Sequence, residues 1–237
     1  MHLLNLWRHV WPCVIVLGMG CGGTPLVLAG EPDHHVAEPP RLSPRAALDQ
    51  LLAGNARFVR GETNGEHRGP QRRKELLAGQ HPIAAILCCS DSRVPPELVF
   101  DQGLGDIFVV RVAGNVVLED TLGSVEYADV HLHTALIMVL GHENCGAVRA
   151  TLDAKFHQAH EPVHVTELAK LIMPAIKDID PRIAAAAQIH TAVEANVRQS
   201  LRQLLAIEEV GPEVKEGRLQ VVGAVYDMES GKVRLLP

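Results

Sequence analysis

Aromatic side chains are scarce in this chain: two Trp, two Tyr and four Phe make up 3% of its 237 residues. Any core must therefore be built from Val, Leu, Ile and Ala, and with 47% hydrophobic residues there is material for one sizeable domain. Cores of that kind suit strands covered on both faces by helices. A basic stripe is also missing. The balance of 22 basic against 28 acidic residues leaves a net charge of −6, so nucleic acid is excluded as the expected partner. One short basic run, Arg68 with Arg72, Arg73 and Lys74, reads as a solvated helix face.

A long apolar run occurs in one place only. Residues 1–29 combine Arg8, an apolar stretch from Val10 to Leu28, and the small Ala29 before Gly30. This is the pattern of a secretory signal peptide cleaved after Ala29, and it predicts export, to the periplasm. Pro12, Gly18, Gly20, Gly22, Gly23 and Pro25 make the segment a poor permanent span, so the mature form is expected to be free of the membrane. An uncleaved anchor is the alternative; lipid attachment at Cys21 fits poorly with the preceding Gly18-Met19-Gly20. Residues 30–42, rich in Pro, His and acidic groups, read as a flexible tether. Residues 43–237 read as a single domain. Loss of the leader removes Cys13 and Cys21 and leaves Cys88, Cys89 and Cys145. Three cysteines are an odd number for a disulfide framework, and adjacent ones seldom pair because the geometry is strained. Something other than disulfides should hold these thiols.

Ser43-Pro44 marks a helix start, with Ala47, Leu48, Leu51, Leu52 and Phe58 recurring at helical spacing. A polar loop over 61–69 and a short helix over 70–78 follow. Short apolar runs at 83–88, 107–112, 135–140 and 220–226 then alternate with helical patterns at 121–130, 145–156 and 181–207. Alternation of this kind predicts an α/β fold: a mostly parallel central sheet of about four strands flanked by helices. Residues 232–236 should add an antiparallel edge strand through a hairpin at Ser230-Gly231, and the first helix forms an N-terminal arm. No internal repeat is visible.

In such a sheet, functional groups gather at the carboxyl ends of the strands. The first run ends in CCSDSR (88–93) and the third in GHENCGAV (141–148), so two strand ends carry cysteines and a histidine to one edge. His142 and Cys145, two residues apart across a strand-to-helix turn, can face one ion, and Cys89 can reach it from the other strand end. Two thiolates and one imidazole suit Zn²⁺, and three protein ligands leave a fourth position open for water. Each group has a plainer reading, since a buried cysteine at a strand end is usually a small hydrophobe. Cys88 lies on the opposite side of the strand from Cys89 and reads as core.

The combination Cys89-Ser90-Asp91-Ser92-Arg93 with Gly141-His142 and Cys145-Gly146 resembles the β-class carbonic anhydrases, and the similarity runs on through PPELVFDQGLGDIFVVRVAGN and LGSVEYA over residues 43–230. The resemblance implies a zinc enzyme, one Zn²⁺ per subunit, that interconverts CO₂ and bicarbonate through zinc-bound hydroxide. It also implies a homodimer or a dimer of dimers, with residues 43–60 lying across the partner subunit. Position by position, Cys89, His142 and Cys145 become the zinc ligands, and Asp91 and Arg93 the catalytic pair. Asp91 would accept a hydrogen bond from the bound water, while Arg93 holds it off the cation. In some members the counterpart of Asp91 swings onto zinc as a fourth ligand, so Asp91 is also a conditional metal ligand. That regulated branch carries a tryptophan where this chain has Ile86, although Arg111 and Tyr226 match, and an open site at neutral pH is expected. Gln102 resembles a glutamine that touches substrate, and the N–H of Gly146 is a candidate for binding bicarbonate. Ser90 and Ser92 are read as capping the turn. His67, His81 and His157 are candidate proton shuttles among thirteen histidines.

Three rival readings stand beside this one. The same site could hydrolyse a CO₂-like substrate such as carbonyl sulfide or carbon disulfide. A non-catalytic zinc or bicarbonate-sensing protein would need neither Asp91 nor Arg93. Thiol redox chemistry through Cys88-Cys89 would require free thiols in the metal-loaded protein.

Overall fold

A computed structural model describes residues 41–237. The leader, and the tether up to residue 40, lie outside the described residues. The elements run α1 (Pro44–Arg60), α2 (Pro70–Glu75), β1 (Ala84–Cys88), α3 (Pro96–Val99), β2 (Ile107–Arg111), α4 (Glu119–Val130), β3 (Leu136–His142), α5 (Gly146–His157), α6 (Val163–Ile172), α7 (Ala185–Leu205), α8 (Val210–Lys215), β4 (Gln220–Tyr226) and β5 (Val233–Leu235). The strands form one sheet in the order β2-β1-β3-β4-β5, parallel except for β5, which returns antiparallel on β4. The α/β architecture predicted from the alternating runs is the one observed.

β1 and β3 lie at the centre, and every residue of both is buried. Each Leu, Ile, Val or Met taken from water there contributes roughly 1.5–3 kcal/mol, which is why these strands read as unbroken apolar runs. Alternation sends Ala85, Leu87 and Cys89 into a cluster with α4, α5, α6 and α7. Ala84, Ile86 and Cys88 go to the other face, against α1, Val94, Val99 and Phe100.

The first helix forms over Pro44–Arg60, as its spacing predicted. Ser43 caps it, with Oγ accepting from the Ala46 N–H at 3.2 Å and Pro44 in the first turn. Its apolar face lies on its own sheet. Ala47, Leu48 and Leu51 are buried there, and Asn55 Nδ2 donates to the carbonyls of Val99 (3.1 Å) and Gly231 (2.9 Å). Asn55 Oδ1 accepts from the Val233 N–H at 2.9 Å. Those bonds fix the helix to α3 and to the β4–β5 hairpin of the same chain. The basic run differs from the solvated face expected of it. Arg68 pairs with the buried carboxylate of Asp101 (3.0 Å), and Arg72 with the Leu104 carbonyl (2.9 Å) and Asp106 (3.2 Å). Arg68 ties the loop before α2, and Arg72 ties α2 itself, to the α3–β2 connection.

Candidate metal centre

β1 and β3 are hydrogen-bonded in register, Cys88 opposite Leu140, so the chain leaves both strands at the same edge of the sheet. The segment after β1 turns sharply. The Val94 N–H donates to the Asp91 carbonyl (3.1 Å), and Asp91 Oδ1 accepts from the Arg93 backbone N–H (3.0 Å). Asp91 itself therefore closes the turn, in place of the serines beside it. Arg111, the last residue of β2, reaches across to the carbonyls of Cys89 (3.2 Å) and Asp91 (2.7 Å) and pins the segment from the side.

The two edges bring Cys89, His142 and Cys145 together, with their ligand atoms all within 4.8 Å of one another and all three residues buried. The two sulfurs are 4.0 Å apart. An ion with Zn–S bonds of about 2.3 Å in tetrahedral geometry would hold them about 3.8 Å apart, so the spacing fits such an ion and is far too long for a disulfide. The histidine carries the more telling sign. His142 Nδ1 donates to the Glu143 carbonyl at 2.9 Å, which fixes the tautomer and leaves the Nε2 lone pair facing the thiols. Nε2 is fully buried and has no hydrogen-bond partner. An unpartnered buried acceptor costs about 1–3 kcal/mol, a cost removed when a cation takes its lone pair.

The sulfur charges point the same way. The hydrogen bond between the two sulfurs brings the Cys89 thiol down, helped by the Gly114 N–H and opposed by burial. Cys145 is pushed up in turn by its bond to Cys89 and by burial. Cys145 also stands at the N-terminus of α5, whose positive end favours thiolate. Cys88, by contrast, is fully buried on the other face, and burial pushes its thiol up to about 12. It is a core residue, as alternation predicted.

Beside the cluster, Asp91 and Arg93 form a two-point ion pair, Nε to Oδ1 at 2.9 Å and Nη2 to Oδ2 at 2.8 Å. The guanidinium holds the Asp91 carboxyl well below the usual carboxylate range. Asp91 Oδ2 lies 3.8 Å from His142 Nε2, near the ligand atoms yet turned toward its arginine.

The model of the family described as carbonic anhydrase matches residues 84–233. A carbonic anhydrase of Mycolicibacterium smegmatis is 38% identical over 197 residues, covering 83% of this chain and 95% of that one. Carbonic anhydrase 2 of Mycobacterium tuberculosis is 36% identical over 197 residues, covering 83% and 94%. Among solved structures, the β-carbonic anhydrase CcaA superposes with a TM-score of 0.64 at 28% identity, covering 80% of this chain and 95% of that one. The β-carbonic anhydrase CafA of Aspergillus fumigatus gives 0.65 at 26%, covering 81% and 89%.

The chain belongs to the β-class carbonic anhydrase family.

Within that family assignment, the remaining candidates separate. Gly146 is the first residue of α5, directly after Cys145, and a side chain there would meet nothing within 4 Å, so the space above its backbone is open. Gln102 is buried, with its amide donating to the carbonyls of Phe100 (2.8 Å) and Asp101 (3.2 Å), and its hydrogen bonds reach no group of the cluster. Its amide also lies beside Gly54 of α1. His67 is held by Asp106 at 2.7 Å. Ile86 and Tyr226 are both buried on the α1 face of the sheet. Two residues at the centre had not been singled out. Gly114 donates its N–H to Cys89 Sγ at 3.3 Å, and Asn196 holds the Gly114 carbonyl at 2.7 Å. A signal for Asn196 was present: an amide on the mostly apolar face of α7.

Proposed function

We propose that this carbonic anhydrase binds one zinc ion per subunit through Cys89, His142 and Cys145 and catalyses the reversible hydration of CO₂ to bicarbonate and a proton. The observation that carries the reading is the buried cysteine–histidine–cysteine set, its imidazole nitrogen unpartnered, beside a carboxylate clamped by an arginine. Zinc held there would supply acidified water as the nucleophile, as hydroxide at neutral pH.

The chain's own residues supply the rest. Two thiolates cancel the charge of a divalent ion, so acidification needs help from nearby groups. Asp91, kept ionised by Arg93, accepts a hydrogen bond from a ligand that carries a proton and disfavours one that does not. Arg93 engages both carboxylate oxygens and keeps Asp91 off the metal, which leaves the fourth position open at neutral pH. The Gly146 N–H, at the positive end of α5, is placed to hold a bicarbonate oxygen. CO₂ is favoured over carbonyl sulfide or carbon disulfide because the relatives are named carbonic anhydrases. Assembly into homodimers or dimers of dimers, and export with loss of residues 1–29, belong to the same proposal; the apolar stretch before Gly30 supports export.

The test is metal content and CO₂ hydration by stopped flow, for the wild type and for Asp91→Asn. Stoichiometric zinc is expected in both, with activity lowered in the variant by about 10²-fold or more, the range for loss of a positioned proton acceptor. Equal activities remove Asp91 from its role. A wild type that binds no zinc overturns the reading as a whole.

A further inference from the structure

Helix α7 packs against the sheet through Ile189, Ala192, Val193, Val197 and Leu204, yet Asn196 and Ser200 sit one turn apart on the same buried face. Each is 1% exposed. Burying an amide or a hydroxyl costs about 1–3 kcal/mol unless it finds a partner, so an amphipathic helix does not carry two without a reason. Both reach the same turn. Asn196 Nδ2 donates to the Gly114 carbonyl at 2.7 Å, and Ser200 Oγ donates to the Asn115 carbonyl at 2.9 Å.

That turn is one an ordinary sequence avoids. Gly114 has φ +73° and the buried Asn115 has φ +44°, both in the left-handed region. The dihedral angle favours glycine at residue 114, and a Cβ there would also push aside the Ile172 terminal methyl, 2.8 Å away. The conformation delivers one group to the metal centre, the Gly114 N–H, aimed at Cys89 Sγ at 3.3 Å.

We propose, resting on the zinc reading above, that Asn196 and Ser200 are positioning residues for the metal centre. By clamping the turn at 113–115 they aim the Gly114 N–H at the Cys89 sulfur and so limit the negative charge that this sulfur gives to the metal. A thiolate that accepts a hydrogen bond is a weaker donor. A centre with two thiolates needs that withdrawal more than one built from neutral imidazoles, because its ligands otherwise cancel the charge that activates water. Helix α7 thus tunes the reaction without touching substrate or metal.

The experiment uses the full chain, as wild type, Asn196→Ala and Ser200→Ala, each loaded with zinc for kinetics and with cobalt(II) for spectroscopy. The wild type must bind one cobalt with a sulfur-to-metal charge-transfer band; if it does not, the zinc reading fails, whatever the variants do. With that band present, Asn196→Ala is expected to shift it to longer wavelength, as a sulfur freed of its hydrogen bond gives up charge more readily. kcat should fall about 10-fold at unchanged KM, the lower end of the range for losing a partner behind a metal ligand. Ser200→Ala should move both readouts in the same direction by less. A folded Asn196→Ala protein with the wild-type band and wild-type kcat overturns the proposal. If Asn196→Ala does not fold, Ser200→Ala decides in its place, and an unmoved band there overturns it equally.

Discussion

Replacing Gly54 with alanine sets two effects of opposite sign against each other. Gly54 lies in the middle of α1, where exchange to alanine would ordinarily stabilise a helix by about 1 kcal/mol. Here the added methyl would lie 2.7 Å from the Phe100 carbonyl carbon and nearer still to its oxygen. The obstacle is backbone, which cannot swing aside, so α1 must move away from α3 by roughly 1 Å to restore van der Waals contact. Such a shift strains the three hydrogen bonds of Asn55 to Val99, Gly231 and Val233, each worth about 1 kcal/mol net. It also opens a gap over Ala47, Leu48 and Leu51, where a separation of about 1 Å forfeits up to half of the contact energy, at a cost of roughly 2 kcal/mol. The losses come to about 5 kcal/mol against a gain of about 1 kcal/mol, so the variant should be less stable by about 4 kcal/mol. For a chain of this size that corresponds to a fall in Tm of roughly 8–16 °C. Thermal unfolding followed by circular dichroism reads it directly. A Tm equal to or above that of the wild type would show that α1 does not rest on its own sheet, and the account of its docking would have to be abandoned.

Further outcomes follow from the same geometry. Cys89→Ala should lose bound zinc, whereas Cys88→Ala, which empties a core position on the other face, should keep it at a modest cost in stability; metal analysis after gel filtration separates the two. In the metal-loaded wild type, Cys89 and Cys145 should resist a thiol reagent until a chelator is added, and a full thiol count before chelation would favour the redox reading. Asp129 is 3% exposed, with neither carboxylate oxygen hydrogen-bonded, and burial together with Glu213 pushes its carboxyl up. The folded state therefore binds this proton more tightly than the unfolded one, and stability falls as pH rises from the ordinary carboxylate range through the raised value. Asp129→Asn should raise stability by about 1–2 kcal/mol at pH 8, with the gain shrinking toward pH 4. A gain that grows on acidification would contradict that assignment.

Much of this arrangement could be read from the chain in advance, for physical reasons. β1 and β3 stand out because strands buried on both faces need unbroken apolar runs, and alternation alone separates Cys88 from Cys89. The His142–Cys145 spacing is local chemistry and survives in the sequence. What escaped is non-local or masked. An amphipathic α1 shows that it buries a face, not whose sheet receives it, and the partners that decide this, Val99 and Gly231, are distant in the chain. Arg68 and Arg72 look like a solvated run until Asp101 and Asp106 arrive beside them. Helix α6 sits between Pro162 and Pro174, and α8 contains Gly211 and Pro212, residues that argue against helix by propensity. Gln102 was taken from likeness of sequence, and only its packing against α1 shows where its amide goes.

Neither half of the donor set is useful without the other: one sulfur follows β1, while the imidazole ends β3 and the second sulfur comes just after it. Until those two strands have zipped side by side, no pocket exists for a cation to recognise. Metal uptake in a refolding experiment should therefore lag behind helix formation and keep pace with closure of the central sheet. A mutation anywhere along that seam is then legible as lost metal, well away from the ligands themselves.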